Sequence, residues 1–325
     1  MGRPSVDLKQ LTSVITVAET GSVTRAAQLL HLVQPAITRQ IKALEHELGV
    51  TLFERSKSGM RLTDAGDLLV DRARRALGEL ERARAEITPD PAVLTGIVRV
   101  GLLDSMTDLL AEPLVTLVTD QHPGIELRLL TGYSGHLQRW LDDGDLDLTL
   151  LYNLKSTPTV NVSPVAREQL WVVAPTDAVL RSETPVDLIA AAAHPLVLPG
   201  AGHGLRTLMD EAAARAKVEL AVVVETNSMR VQKHLVQAGH GWTILPGIAV
   251  ADDIASGRLS AAPIDDPRAY RDIVLATPRT TRTPPAVNAV GALLLHHLHE
   301  AILHSSWPSA AWRGARPRRS DAPER

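Results

Sequence analysis

Four groups of residues in this 325-residue chain have types and spacings that could do chemistry. Gln34, Thr38 and Lys42 recur at helical spacing with Arg39 beside them, opposite a stripe of Ile37, Ile41, Leu44 and Leu48. Amide and guanidinium groups match base edges in a DNA groove, and hydroxyl and ammonium groups hold phosphates. An ordinary solvated face would show the same pattern. Gly132-Tyr133-Ser134-Gly135-His136 has the outline of a nucleophile elbow, but an elbow needs glycine two residues after its serine, and this chain has His136 there. Gly200-Ala201-Gly202-His203-Gly204 matches neither the dinucleotide fingerprint nor a phosphate loop. It reads as a flexible turn, or as an anion site where amides opening a helix act with Arg206 or His203. His296, His299, Glu300 and His304 share a helical face, but His297 breaks the pattern, so solvated surface is expected there and no metal.

Composition narrows the classes. The net charge of −3 exerts no global pull on nucleic acid, so such binding needs a local basic patch. Up to Thr63 there are eight basic residues against five acidic ones, a mildly basic head on an acidic chain. With no cysteine, disulfides, thiolate metal sites and redox-sensing thiols are excluded. The start, Met1-Gly2-Arg3-Pro4-Ser5, lacks the order of a secretory signal, and no apolar run approaches the roughly 20 residues of a membrane span. A cytoplasmic protein without membrane contact is expected.

The elements that must carry these groups follow from periodicity. Helices are predicted over Leu8 to Glu19, Val23 to Leu30 and Gln34 to Leu48; the second and third, joined by His31-Leu32-Val33, form a helix-turn-helix. Leu52 to Thr63 reads as a hairpin around Ser56-Lys57-Ser58-Gly59, the wing of a winged helix, which Phe53 pins to the helices. Leu62, Ala65, Leu69, Ala73, Ala76, Leu80, Ala83 and Ile87 recur at steps of three and four, a heptad seam. Thr88-Pro89-Asp90-Pro91 ends that helix at a hinge. Beyond it, apolar runs alternate with helix-length stretches in two sets, which predicts two α/β lobes with parallel sheets. The expected layout is a head over residues 6–63, a linker helix over 64–88 and a two-lobed domain over 93–304. Its lobe I takes 93–162 with 268–304, lobe II takes 163–267, and 305–325 is a Pro- and Arg-rich disordered tail.

Leu11 through Gly66, with Ala18-Glu19-Thr20-Gly21-Ser22, Gln34-Pro35-Ala36-Ile37-Thr38-Arg39, Leu52-Phe53-Glu54-Arg55 and Leu62-Thr63-Asp64-Ala65-Gly66, closely resembles the LysR-type transcriptional regulators. A weaker likeness continues through His122-Pro123-Gly124 and Gly239-His240-Gly241-Trp242-Thr243-Ile244-Leu245-Pro246. The resemblance implies a winged helix-turn-helix, a linker helix that pairs two chains, and an effector domain built like a type 2 periplasmic binding protein. It implies a regulator rather than an enzyme: a homo-oligomer, dimer or tetramer, on double-stranded DNA with a dyad-symmetric site, able to alter DNA bending or contact with RNA polymerase. By motif position, Gln34, Pro35, Thr38 and Arg39 meet the major groove with Lys42 near, Ser22 and Thr24 the phosphates, and Arg55 or Lys57 the wing side. Leu69, Ala73, Ala76, Leu80, Ala83 and Ile87 are the pairing residues. One departure is Val33, where the family usually has a small residue such as Ser that can cap the third helix.

In open α/β lobes, ligands sit beyond the carboxyl ends of strands. The polar residues there are Asp104, Ser105, Thr107, Tyr133, Ser134, His203, Asn227 and Ser228, several of which could equally be helix caps. No cofactor is expected; a small effector with a carboxylate or several hydroxyls suits the set.

Overall fold

The structure, a computed structural model, describes residues 6–56, 59–87, 94–266, 268–279 and 283–315. The chain divides into two units, Met1–Pro89 and Asp90–Arg325, each with its own core.

In the first unit, α1 (Leu8–Thr20), α2 (Val23–Leu29) and α3 (Gln34–Leu48) bury Val14, Val17, Ala26, Ile37 and Leu44 completely. Each helix start has a local cause. Asp7 and Gln10 form a reciprocal capping box on α1, and Ser22 caps α2 through Oγ. α3 has Val33 as N-cap, with no side-chain bond. Leu48, expected on the apolar stripe, is 38% exposed because α3 ends there at left-handed Gly49. The hairpin β1 (Phe53–Ser56) and β2 (Gly59–Leu62) is tied to α3 by Glu45 Oε1, which accepts from Leu52 N–H at 2.8 Å, and by buried Phe53. Gly59 packs against the Gly21 carbonyl, which accepts Met60 N–H at 2.9 Å; a Cβ at Gly59 would collide with that oxygen. α4 (Asp64–Ile87) follows, with Val70 and Ala73 buried in the same core.

The second unit runs β3 (Gly96–Leu103), α5 (Thr107–Gln121), β4 (Ile125–Gly132), α6 (Ser134–Asp142), β5 (Leu148–Tyr152) and β6 (Val160–Ala174). It continues with α7 (Leu188–Ala192), β7 (Leu196–Leu198), α8 (Gly204–Ala216), β8 (Val222–Glu225), α9 (Met229–Gln237) and β9 (Thr243–Pro246). Last come α10 (Ala251–Ala255), β10 (Ser260–Pro263), β11 (Tyr270–Pro278), α11 (Pro285–Leu303) and β12 (Ala310–Trp312). The sheets are mixed rather than parallel as expected: β3 pairs in parallel with β4 and β5, and β7 with β8, but β6 is antiparallel to β9, β10, β11 and β12. The reason is that the chain crosses between lobes twice. Val160, Val165 and Ala166 lie in the core of lobe I and Leu170 to Val173 in that of lobe II, so β6 passes through both; β11 returns beside it.

At the crossing lies a buried ion pair. Glu168 is fully buried, and its Oε2 accepts from Arg271 Nε at 2.9 Å. Its Oε1 accepts from Trp307 Nε1 at 2.9 Å, Ser309 Oγ at 3.0 Å and Ile248 N–H at 3.0 Å. That network corrects the reading of 305–325 as a disordered tail: Trp307 is fully buried and β12 pairs with β6 over Glu168, Arg167 and Ala166. Residues 316–325, including the Arg-rich stretch from position 316, lie outside the described residues. α11, with 19 residues and a mean hydropathy of 1.2, is long and apolar enough to cross a membrane by length and composition alone, but it is a core helix, with Val290, Leu294 and Leu298 fully buried in lobe I.

Candidate functional site

On α3 the burial of Ile37, Ile41 and Leu44 against α1 and α2 turns the opposite side outward. Gln34, Pro35, Arg39 and Lys42 are exposed, and Thr38, half-buried, donates through Oγ1 to the Gln34 carbonyl at 3.1 Å. Arg39 and Lys42 form no ion pair among the described residues, as do Arg55 and Arg61 on the hairpin, so these cations are available to an anion. Ser22 Oγ accepts from Arg25 N–H at 3.3 Å as the cap of α2, and Thr24 is exposed in the first turn. Lys57 lies outside the described residues. The face therefore has base-matching groups along one helix and phosphate-matching groups at its margins.

The seam residues divide. Leu69 and Ala73 pack into the head's own core, whereas Ala76, Leu80 and Ala83 are exposed. The side chain of Ile87 lies outside the described residues. The N-terminal part of the heptad pattern thus holds α4 to the head.

Between the two lobes of the second unit lies a small cavity. Lobe I supplies the carboxyl ends of its strands: Leu103, Asp104 and Ser105 after β3, Gly132 and Tyr133 after β4, and Tyr152 at the end of β5. Lobe II supplies the starts of α8 and α9, with His203, Leu205, Asn227, Met229 and Gln232. Of the eight expected residues, Asp104, Ser105, Tyr133, His203 and Asn227 line it. Thr107, Ser134 and Ser228 do not line it. Ser228 caps α9 by accepting Val231 N–H at 3.4 Å, and Ser134 Oγ accepts from Tyr152 N–H at 3.3 Å. Ser105 Oγ accepts from Arg271 at 2.8 Å.

Tyr152, Gln232 and Arg271 are lining residues that the sequence reading missed. Tyr152 ends an apolar run, so the strand-end rule would have found it. Gln232 and Arg271 sit inside a helix and a crossover strand, where no end signal exists. The lobes meet through Tyr133 and His203, whose rings stand edge to face at 4.7 Å. Burial, reinforced by Asp108, raises the Asp104 carboxyl above its ordinary range, and Lys233 opposes this. Burial, with His136 adding to it, lowers His203, so its imidazole is neutral at pH 7. Burial also pushes the Tyr133 and Tyr152 hydroxyls up. The cavity can hold a small molecule among apolar walls with a few polar groups to orient it. Among the described residues no group of His and acidic side chains converges as a metal site, the α11 histidines included.

The comparisons match this division into head and lobes. The family model for the bacterial regulatory helix-turn-helix protein, lysR family, matches residues 8–67, and that for the LysR substrate binding domain matches residues 91–299. The HTH-type transcriptional regulator CfxR of Cupriavidus necator is 30% identical, over 92% of this chain and 94% of its own. The HTH-type transcriptional regulator BbuR of Bordetella bronchiseptica is 29% identical, over 93% of each. Among solved structures, a full-length OxyR variant from Pseudomonas aeruginosa superposes with a TM-score of 0.68 at 25% identity, covering 95% of this chain and 99% of its own. With a reading head followed by a two-lobed binding domain, in the order and over the lengths these proteins share, the chain belongs to the LysR family of bacterial helix-turn-helix regulators.

Proposed function

We propose that the protein regulates transcription from the cytoplasm by placing α3 in the major groove of a partly symmetric DNA site. The observation that carries this reading is the row of exposed Gln34, Arg39 and Lys42 with half-buried Thr38, on a helix whose other face is buried, with no competing ion pair among the described residues. Gln34 and Arg39 read base edges, Ser22, Thr24 and Lys42 position phosphates, and Arg55 with Lys57 contact the backbone beside the wing. Two chains pair through the exposed half of the α4 seam, Ala76, Leu80 and Ala83, so that two heads engage two half-sites. A small effector in the interlobe cavity shifts the balance between two arrangements of the oligomer by its different affinity for them, and so alters DNA bending or contact with RNA polymerase.

With no cysteine, no thiol redox step is available to this chain, whatever the likeness to OxyR. Genome-wide capture of bound DNA, then footprinting of the strongest site with and without a metabolite extract, tests the reading. A dyad footprint that changes in length or position with the extract supports it. The absence of any enriched site overturns it.

A further inference from the structure

Two buried side-chain nitrogens, on residues that line the interlobe cavity, have no hydrogen-bond partner among the described residues. Gln232 is 2% exposed, yet its amide nitrogen has no partner. His203 presents the second. Its Nδ1 accepts from Leu205 N–H at 3.2 Å, which leaves the proton of the neutral ring on Nε2, and that nitrogen is buried without a partner. Native folds rarely keep unmatched buried donors unless a bound group supplies the acceptor.

The charges around these donors decide what kind of acceptor fits. The guanidinium lining the cavity, Arg271, is already neutralised by Glu168 at 2.7 Å. Lys233, the cation that acts on Asp104, is held by Asp253 at 2.7 Å. Asp104 itself lines the cavity with no ion-pair partner among the described residues. A carboxylate entering here would be desolvated beside another carboxyl group, with no free cation to balance either.

We propose that the ligand of this cleft is an uncharged carbonyl compound, such as a carboxamide, whose oxygen accepts from the Gln232 amide and the His203 Nε2–H while its N–H donates to Asp104. Its body packs on Leu103, Leu205 and Met229. This departs from the carboxylate suggested by strand-end residues alone, and it rests on the reading of the cleft as the effector site.

The test uses the full chain and matched pairs of probes: benzamide with benzoate, nicotinamide with nicotinate, and cyclohexanecarboxamide with its carboxylate. Binding is followed by calorimetry and ligand-observed NMR at pH 7.5. At least one amide is expected to bind at least tenfold more tightly than its paired acid. Gln232→Met, which keeps the shape and removes the donor, is expected to weaken that binding about tenfold. His203→Asn does the same without uncapping α8, and melting curves check that both variants fold. Acids binding as well as amides, or amide binding indifferent to both substitutions, overturns the assignment of ligand class. If no probe of either kind binds while an extract still changes the footprint, the inference falls and the regulator reading stands. If the extract changes nothing either, both fall.

Discussion

Glu168 and Arg271 allow a thermodynamic cycle whose outcome can be worked out from their surroundings. Arg271→Met removes the cation and leaves the Glu168 carboxylate fully buried with three neutral donors, Ile248 N–H, Trp307 Nε1 and Ser309 Oγ. Breaking a buried pair in this way costs about 3–5 kcal/mol, since an uncompensated charge stays behind. In a domain of this size each kcal/mol shifts the melting temperature by about 2–4 °C, so a fall of about 6–20 °C is expected. Adding Glu168→Gln removes the stranded charge and keeps a carbonyl oxygen for the three donors, so the double variant recovers about 1–3 kcal/mol of that loss. Urea and thermal unfolding of the wild type, both single variants and the double variant supply the cycle. A double variant no more stable than Arg271→Met refutes the argument, because it would show that charge compensation is not what Arg271 contributes at the crossing.

Val33→Ser offers α3 the cap it lacks. Pro35 has no N–H, and Ala36 N–H already bonds the Val33 carbonyl at 2.9 Å, so the gain lies at the low end, about 0.5–1 kcal/mol. A melting temperature of the head that does not rise contradicts this. Arg39→Ala weakens specific DNA binding by about 1–3 kcal/mol if the guanidinium reads a base; equal losses on specific and random DNA reassign it to a phosphate. Leu80→Asp, at a position 49% exposed on α4, splits the paired chains, and an unchanged mass by light scattering rules Leu80 out of the seam. His203 has its folded-state pKa lowered, chiefly by burial, so the unfolded chain takes up that proton first as pH falls through 6.5. Its contribution is therefore complete above that value and is lost as pH falls below it. His203→Asn keeps an acceptor for Leu205 N–H and flattens the slope; thermal melts between pH 7.5 and 5 with identical slopes for both proteins speak against the assignment.

The head was legible because its causes are local. α3 begins at Gln34 and ends at Leu48, and α4 runs from Asp64 to Ile87, as periodicity, proline and glycine predict. Only the stretch of β6 from Leu170 to Ala174 is an unbroken apolar run. Pro164 and the run Arg167-Glu168-Gln169 break the apolar pattern, and the groups that make Glu168 tolerable lie 103 and 139 residues away, at Arg271 and Trp307. The same distance effect hid the order of the segment around Trp307, whose composition suggests disorder until its burial site is known. In the cleft, the strand-end rule found the residues that topology alone places. It could not find Gln232, which is turned inward by the packing of α9 against its own lobe.

The double crossing also fixes an order of assembly during synthesis. The core of lobe II closes within one stretch, from Leu170 to Ala269. That of lobe I combines Val98 to Ala166 with Ile273 to Trp307. As the chain emerges, the lobe that starts first must therefore wait, its strands β3, β4 and β5 without β11 or α11, while the inserted lobe already has every core residue it needs. Throughout that interval Glu168 has neither Arg271 nor Trp307 to meet it, so the two lobes cannot be locked together until translation has passed both.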